Sequence, residues 1–244
     1  MSISRRAAMG AGIAASAFAV AAKTAPAQSL SLSFPTTALA GKVGELITTQ
    51  LSPLLRNHSV RGFLFGRALA EQQGIRPGAD YDEETMYLIC ALHDIGLADI
   101  ANGDQRFEID GADYAARFLE DNGVTDARVD TIWDAIAAHT AGFTDSPVWR
   151  RRRPPETWIA VEGIGLDIGG APTDLPPGFA DLVHSAYPRL GGSRALGDAL
   201  EAQALAKPQK APPGSLAGVI LQQRHPELPP LTWEGILAQS SWGD

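Results

Sequence analysis

The run Leu88-Ile89-Cys90-Ala91-Leu92-His93-Asp94-Ile95-Gly96 leads an apolar segment into an imidazole beside a carboxylate. Such a segment has little reason to end in that pair unless both side chains have a partner, because buried ionisable groups are costly without one. A divalent metal accepts a neutral imidazole nitrogen and a carboxylate oxygen at once. The pair therefore marks a candidate metal site at the end of a buried helix. Upstream, Asp82-Glu83-Glu84 supplies acids to that helix's N-terminus, where its dipole favours them. Gly96 is the expected stop.

Helical patterns continue on both sides of this run, and no alternating strand pattern competes with them. Leu54 to Gln73 reads as a long helix ended by Gly74 and Pro77-Gly78. Glu108 to Asn122 places Ala112, Ala115, Ala116 and Leu119 at helical spacing before Gly123. Asp126 to Thr140 gathers Val129, Ile132, Trp133 and Ile136 on one face, with His139 at its edge. A fifth pattern, Glu156 to Asp167, ends at Asp167-Ile168-Gly169-Gly170. Beyond residue 171 Pro and Gly increase. Shorter helices are predicted around 178–187, 193–206 and 214–223, wrapping the core or lining the entrance to a pocket. The predicted fold class is an all-α bundle with a Pro/Gly-rich C-terminal helical extension.

The chain has 244 residues, of which 45% are hydrophobic and 20% charged. That fits one domain with extensions. Residues 1–27 read as an export signal: Ser4-Arg5-Arg6 is a positive start, Ala7 to Ala22 is weakly apolar, and Ala25-Pro26-Ala27 offers small residues for cleavage. The twin arginine resembles a twin-arginine signal, which carries folded proteins. Periplasmic localisation is the expectation, with a cytoplasmic one as the alternative. The apolar run is shorter than the ~20 residues of a spanning helix, so no membrane anchor is expected once the signal is removed. Losing Arg5, Arg6 and Lys23 takes the 20 basic side chains to 17 against 28 acidic, a net charge of −11. So acidic a surface disfavours nucleic acid and anionic membrane as partners and leaves a small-molecule substrate. The single cysteine, Cys90, allows no internal disulfide and reads as a core residue.

Two further polar residues sit where apolar helix faces should continue. His58 lies in Leu54-Leu55-Arg56-Asn57-His58-Ser59-Val60-Arg61, and Asp167 closes the fifth helix. Three helices would bring His58, His93, Asp94 and Asp167 to one point. Two imidazoles and two carboxylates suit zinc, iron, manganese or nickel. Each residue also has a plainer reading: a capping or core histidine, a structural pair, a helix-end carboxylate. Asp167, at a helix C-terminus, stands against the dipole preference, which favours a cation beside it. His139 reads equally as a packed edge residue or a proton shuttle. Arg61 is a surface ion pair or a support for the site. Arg150 to Arg153 is a solvated loop or, less simply, a lid over an anion.

The order His58, His93-Asp94, Asp167 resembles the H…HD…D signature of the HD-domain superfamily, and His93-Asp94-Ile95-Gly96 spells its HDIG form. The resemblance covers about residues 45 to 170. It leaves 28–44 as a lead-in and 171–244 as a C-terminal extension packing on the same domain. Local blocks are similar to the cyanamide hydratase branch: Asn57-His58-Ser59-Val60-Arg61, Phe107-Glu108-Ile109-Asp110-Gly111-Ala112, Trp133 to Thr140, and Gly163-Ile164-Gly165-Leu166-Asp167. Those enzymes add water across the nitrile of cyanamide, giving urea, with one zinc ion. The resemblance implies metal ligands at His58, His93, Asp94 and Asp167 and a pocket histidine at His139. Asn57, Arg61 and Thr140 are candidates to steady the site or orient the substrate.

Two departures from HD phosphohydrolases narrow the function. Leu97 stands where their HDIG is usually followed by lysine. Phe107 stands where two-metal members carry a further histidine before a Gly-Ala pair, here Gly111-Ala112. Both favour one-metal chemistry on a small nitrogenous substrate, in which Asp94 helps hold the metal and His139 moves a proton. A metal-dependent phosphomonoesterase is the first alternative, and a non-catalytic binding domain with a structural metal the second. Export argues that the substrate differs from cyanamide itself.

Overall fold

A computed structural model describes residues 31–229 and 232–240, so the export signal read at 1–27 lies outside the described residues. The described residues form eleven α-helices and no strand. Residues from Leu32 onward make one compact unit.

Each core helix starts on a side chain suited to it. α1 (Ala38–Gln50) is capped by the Thr37 hydroxyl, which accepts from the Ala40 N–H. α2 (Pro53–Gln72) is capped by Ser52, with Pro53 in the first turn, where its missing N–H costs nothing. α3 (Glu83–Leu92) is capped by Asp82, with Glu83 and Glu84 in its first turn. The rest of α3, Thr85 to Leu92, is buried on every side, as befits a helix through the centre of the core. Cys90 lies there fully buried. Burial pushes its thiol far above the ordinary range, so it is a packing residue.

α4 (Phe107–Asp121) and α5 (Arg128–Ala138) pack on one side of α3. α7 (Pro155–Gly169) packs on α2 more extensively than any other described pair of elements. Glycine makes that crossing possible. A Cβ on Gly163 would lie 2.1 Å from the Gly62 carbonyl oxygen and 2.5 Å from the Gly66 nitrogen. The short helix α6 (Pro147–Arg152) precedes α7.

α8 (Phe179–Ala186), α9 (Gly192–Ala206), α10 (Leu216–Arg224) and α11 (Trp233–Gln239) form the C-terminal extension. It is tied down by polar anchors as well as by apolar contact. Gln203 Nε2 donates to the Gly96 carbonyl at 2.8 Å, and Lys207 Nζ donates to the Asn102 and Gly103 carbonyls, both at 2.9 Å. Lys210 is buried against Asp110 and also reaches Asn102 Oδ1 at 2.9 Å.

Three sequence expectations need correction. α1 begins within the stretch 28–44 read as a lead-in, because Thr37, one of the residues that made that stretch look irregular, is its cap. Gly96 does not simply stop a helix: a 3₁₀ turn, Ile95–Leu97, continues through it. A Cβ there would lie 2.0 Å from the Phe107 carbonyl oxygen, so Gly96 allows that turn to touch α4. Arg150 to Arg152 are helical rather than a solvated loop. Arg150 pairs with Glu162 and lies 4.9 Å from the Trp158 ring centroid, and Arg153 reaches Asp134 at 3.2 Å. No helix of the described residues is long and apolar enough to cross a membrane.

Candidate metal centre

Three groups converge at the end of α3. His58 comes from the middle of α2. His93 is the C-cap of α3, and Asp94 follows in a bridge conformation, φ −101° and ψ 9°. His93 Nε2 lies 3.2 Å from Asp94 Oδ2, and His58 Nε2 lies 3.9 Å from the same oxygen. One ligand atom from each residue falls within 4.8 Å of the others. Two ligands ~2.1 Å from a shared tetrahedral ion stand ~3.4 Å apart, so the set has the right spacing.

Hydrogen bonding fixes the tautomer of each imidazole. His93 Nδ1 lies 2.8 Å from the Cys90 carbonyl, which can only accept, so Nδ1 carries the proton and Nε2 the lone pair. His58 Nδ1 lies 2.7 Å from Asp167 Oδ2 and is fixed likewise. His58 Nε2, His93 Nε2 and Asp94 Oδ2 are buried without any hydrogen-bond partner. Three buried lone pairs facing one point are costly unless a cation takes them. The residues therefore fit a divalent ion. The charges within the set are coupled. Burial alone would raise the Asp94 carboxyl, yet His93 and His58 hold it far below its usual range. Burial alone would lower His93, and Asp94 outweighs it to raise that imidazole.

Asp167 does not join this set. It lies in the last turn of α7 behind His58, and both its oxygens are occupied. Arg61, buried, donates to it through Nε and Nη2 at 2.7 Å each, and Arg189 Nη1 approaches Oδ1 at 3.2 Å. The cation expected beside this helix-end carboxylate is thus a pair of guanidiniums. Burial would raise the Asp167 carboxyl, while His58 and Arg61 hold it well below the carboxylate range. Asp167 acts through His58, fixing that ring and its basicity. Arg61 is neither a surface ion pair nor a substrate contact; Nη1 also donates to the Tyr187 and Pro188 carbonyls. Asn57 likewise turns to Pro188, donating at 3.0 Å to its carbonyl.

His139 and Thr140 stand on the other side of His93. The His139 ring centroid lies 5.0 Å from that of His93, and Phe107 packs edge-on against His139 at 5.6 Å. His139 Nδ1 lies 2.7 Å from the Ile136 carbonyl, so its Nε2 also carries the lone pair. Burial, then the neighbouring His93, pushes its pKa down to about 4, which leaves it neutral at pH 7. Both residues, with the three converging groups, line a cavity of about 350 Å³. Its other walls are mostly apolar, including Ile164, Leu196, Leu200 and Leu216, with Thr144 and Glu162 as polar members and no arginine or lysine.

Sequence reasoning missed Arg189, which follows no periodic signal, and Glu108. Glu108 is buried on α4, where Thr140 Oγ1 donates to it at 2.5 Å and Arg106 Nη2 at 2.6 Å. Its only signal was its place in the Phe107 to Ala112 block. No curated protein matches the chain. Residues 55–168, from α2 through α7, match the family model of the HD domain, and all three converging groups fall within that stretch.

Proposed function

We propose that the protein is a one-metal hydratase or hydrolase that adds water to a small, neutral nitrogenous molecule. HD domains are generally metal-dependent hydrolases, which supports the broader reading. The finer one rests on a single observation: the cavity beside the three unpartnered ligand atoms has mostly apolar walls, one carboxylate at Glu162 and no basic side chain. A phosphate ester needs cations there. Arg61 is committed to Asp167, and the charge of Arg150 is offset by Glu162, a residue of the cavity wall. A purely structural metal would sit in a closed shell, whereas this cavity reaches all three ligand residues.

An ion held by His58, His93 and Asp94, with zinc the first choice and iron, manganese or nickel the others, would supply a Lewis acid that makes water a nucleophile near neutral pH. The chain's own residues do the rest. Asp167 and the Cys90 carbonyl hold the two imidazoles with their lone pairs inward. His139 Nε2 takes and returns a proton beside His93 while its Nδ1–H stays anchored to Ile136. The apolar walls exclude bulk water. The export signal read at residues 1–27 makes periplasmic placement part of the same proposal, checked by N-terminal sequencing of protein from a periplasmic extract.

The test is to purify the protein, measure its metal by mass spectrometry, and assay cyanamide, larger nitriles and a generic phosphomonoester together. Turnover of a nitrile with about one metal per chain supports the reading. Turnover of the phosphomonoester alone overturns it.

A further inference from the structure

Two of the polar residues that line the cavity, His139 beside His93 and Thr140, turn hydrogen-bond acceptors rather than donors to it. His139 presents a lone pair at Nε2 because its one ring proton is donated to the Ile136 carbonyl. Thr140, next in sequence, has a single hydroxyl proton, and it is donated to Glu108 Oε1 at 2.5 Å. Glu108 cannot return the favour. It is 1% exposed and accepts from both Nε and Nη2 of Arg106, at 3.3 and 2.6 Å, as a carboxylate does. Burial alone would raise its carboxyl, and Arg106 with Thr140 holds it below the ordinary value instead. Arg106 Nη2 also stands 3.3 Å from Thr140 Oγ1, taking one of that oxygen's lone pairs. Towards anything else in the cavity, the Thr140 hydroxyl can therefore only accept.

We infer that Thr140, locked by Glu108 and Arg106, is the acceptor that selects a substrate carrying an N–H or O–H donor on an otherwise apolar body. This rests on the reading that the cavity holds the substrate of the proposed water-adding reaction. The chemistry follows from the walls. His139 Nε2 and Thr140 Oγ1 offer two neighbouring acceptors, and Ile164, Leu196 and Leu200 offer apolar surface. A primary amide, urea or amino-nitrile with a small hydrocarbon group matches both. A tertiary analogue, whose nitrogen bears no hydrogen, leaves the second lone pair of Thr140 Oγ1 without a donor. Sites built around a hydrogen bond reject such analogues more strongly than apolar sites reject a methyl group.

The test is calorimetric titration of the full chain, with zinc added, using benzamide, N,N-dimethylbenzamide and phenyl phosphate. The chain as it stands is expected to favour benzamide over the dimethyl compound by roughly three- to tenfold, the value of one neutral hydrogen bond. Thr140→Val keeps the shape and removes the acceptor, so the preference should fall to within about twofold. Thr140→Ser restores the hydroxyl and should restore the preference. A preference unchanged in Thr140→Val overturns the role of Thr140 while leaving the cavity as a neutral-ligand site. No binding of benzamide, or tighter binding of phenyl phosphate, overturns both this inference and the functional reading beneath it.

Discussion

Gly163→Ala adds one methyl group at the crossing of α2 and α7, and its effect can be followed from packing to the metal centre. The new carbon would stand 2.1 Å from the Gly62 oxygen, 2.5 Å from the Gly66 nitrogen and 2.6 Å from the Gly66 Cα. All three are backbone atoms, so no side chain can rotate aside. Ordinary contact returns only if the helices part by about 1 Å, an overpacking cost of about 1–3 kcal/mol. The same displacement pulls Asp167 on α7 from His58 on α2. Their 2.7 Å hydrogen bond stretches to ~3.7 Å, beyond useful length, at a further cost of about 1 kcal/mol. A total near 3 kcal/mol lowers the melting temperature by roughly 6–12 °C in a chain of this size. Zinc affinity should fall by about 10- to 100-fold, as when the support of a ligating histidine is lost. Gly165→Ala, two residues on, meets nothing within 4 Å and should instead raise stability by about 0.5–1 kcal/mol through helix propensity. Thermal unfolding of the two variants and a competitive zinc titration make the comparison. A Gly163→Ala protein that melts within 1 °C of the parent refutes the reasoning.

Three other perturbations probe separate parts of the molecule. His93→Ala and Asp94→Ala should each lose bound metal as well as activity; a purified variant that retains one metal per chain would remove that residue from the ligand set. His139→Ala should keep its metal and lose turnover, and unchanged kinetics would demote His139 to packing. Glu156 is buried at the start of α7, and burial, then the Asp82 charge, raises its carboxyl above the ordinary value. The folded state therefore holds its proton more tightly than the unfolded chain. Stability should fall as pH rises from the unfolded value of about 4.3 through the higher folded value. Urea midpoints for Glu156→Gln should lose that slope, and an identical slope would assign it to other groups.

The helices of the core and the pairing of His58 with His93-Asp94 were legible because an apolar periodicity broken by ionisable residues is a local signal. The partners of Asp167 were not. Its position at a helix C-terminus pointed to a cation, and the sequence does not tell a metal from the guanidiniums that the structure places there. Arg61 lies on another helix, α2, and Arg189 sits in a non-periodic stretch before α9. Close approaches were equally hidden. Gly96 and Gly163 look like any stop or spacer until the backbone atoms opposite them are in place. α1 was obscured because the Ser, Thr and Pro residues that signal a loop also supply caps.

The cavity draws its walls from two segments with different duties. The groups that would hold metal and move protons lie within residues 55–168, whereas Leu196, Leu200 and Leu216 come from the extension behind them. Those leucines hang on helices anchored through Gln203, Lys207 and Lys210. Part of the fit is therefore carried on a stretch of chain separate from the reactive groups. Substitutions in the extension can reshape what enters without touching a ligand, so a lineage could change diet while its chemistry stood still.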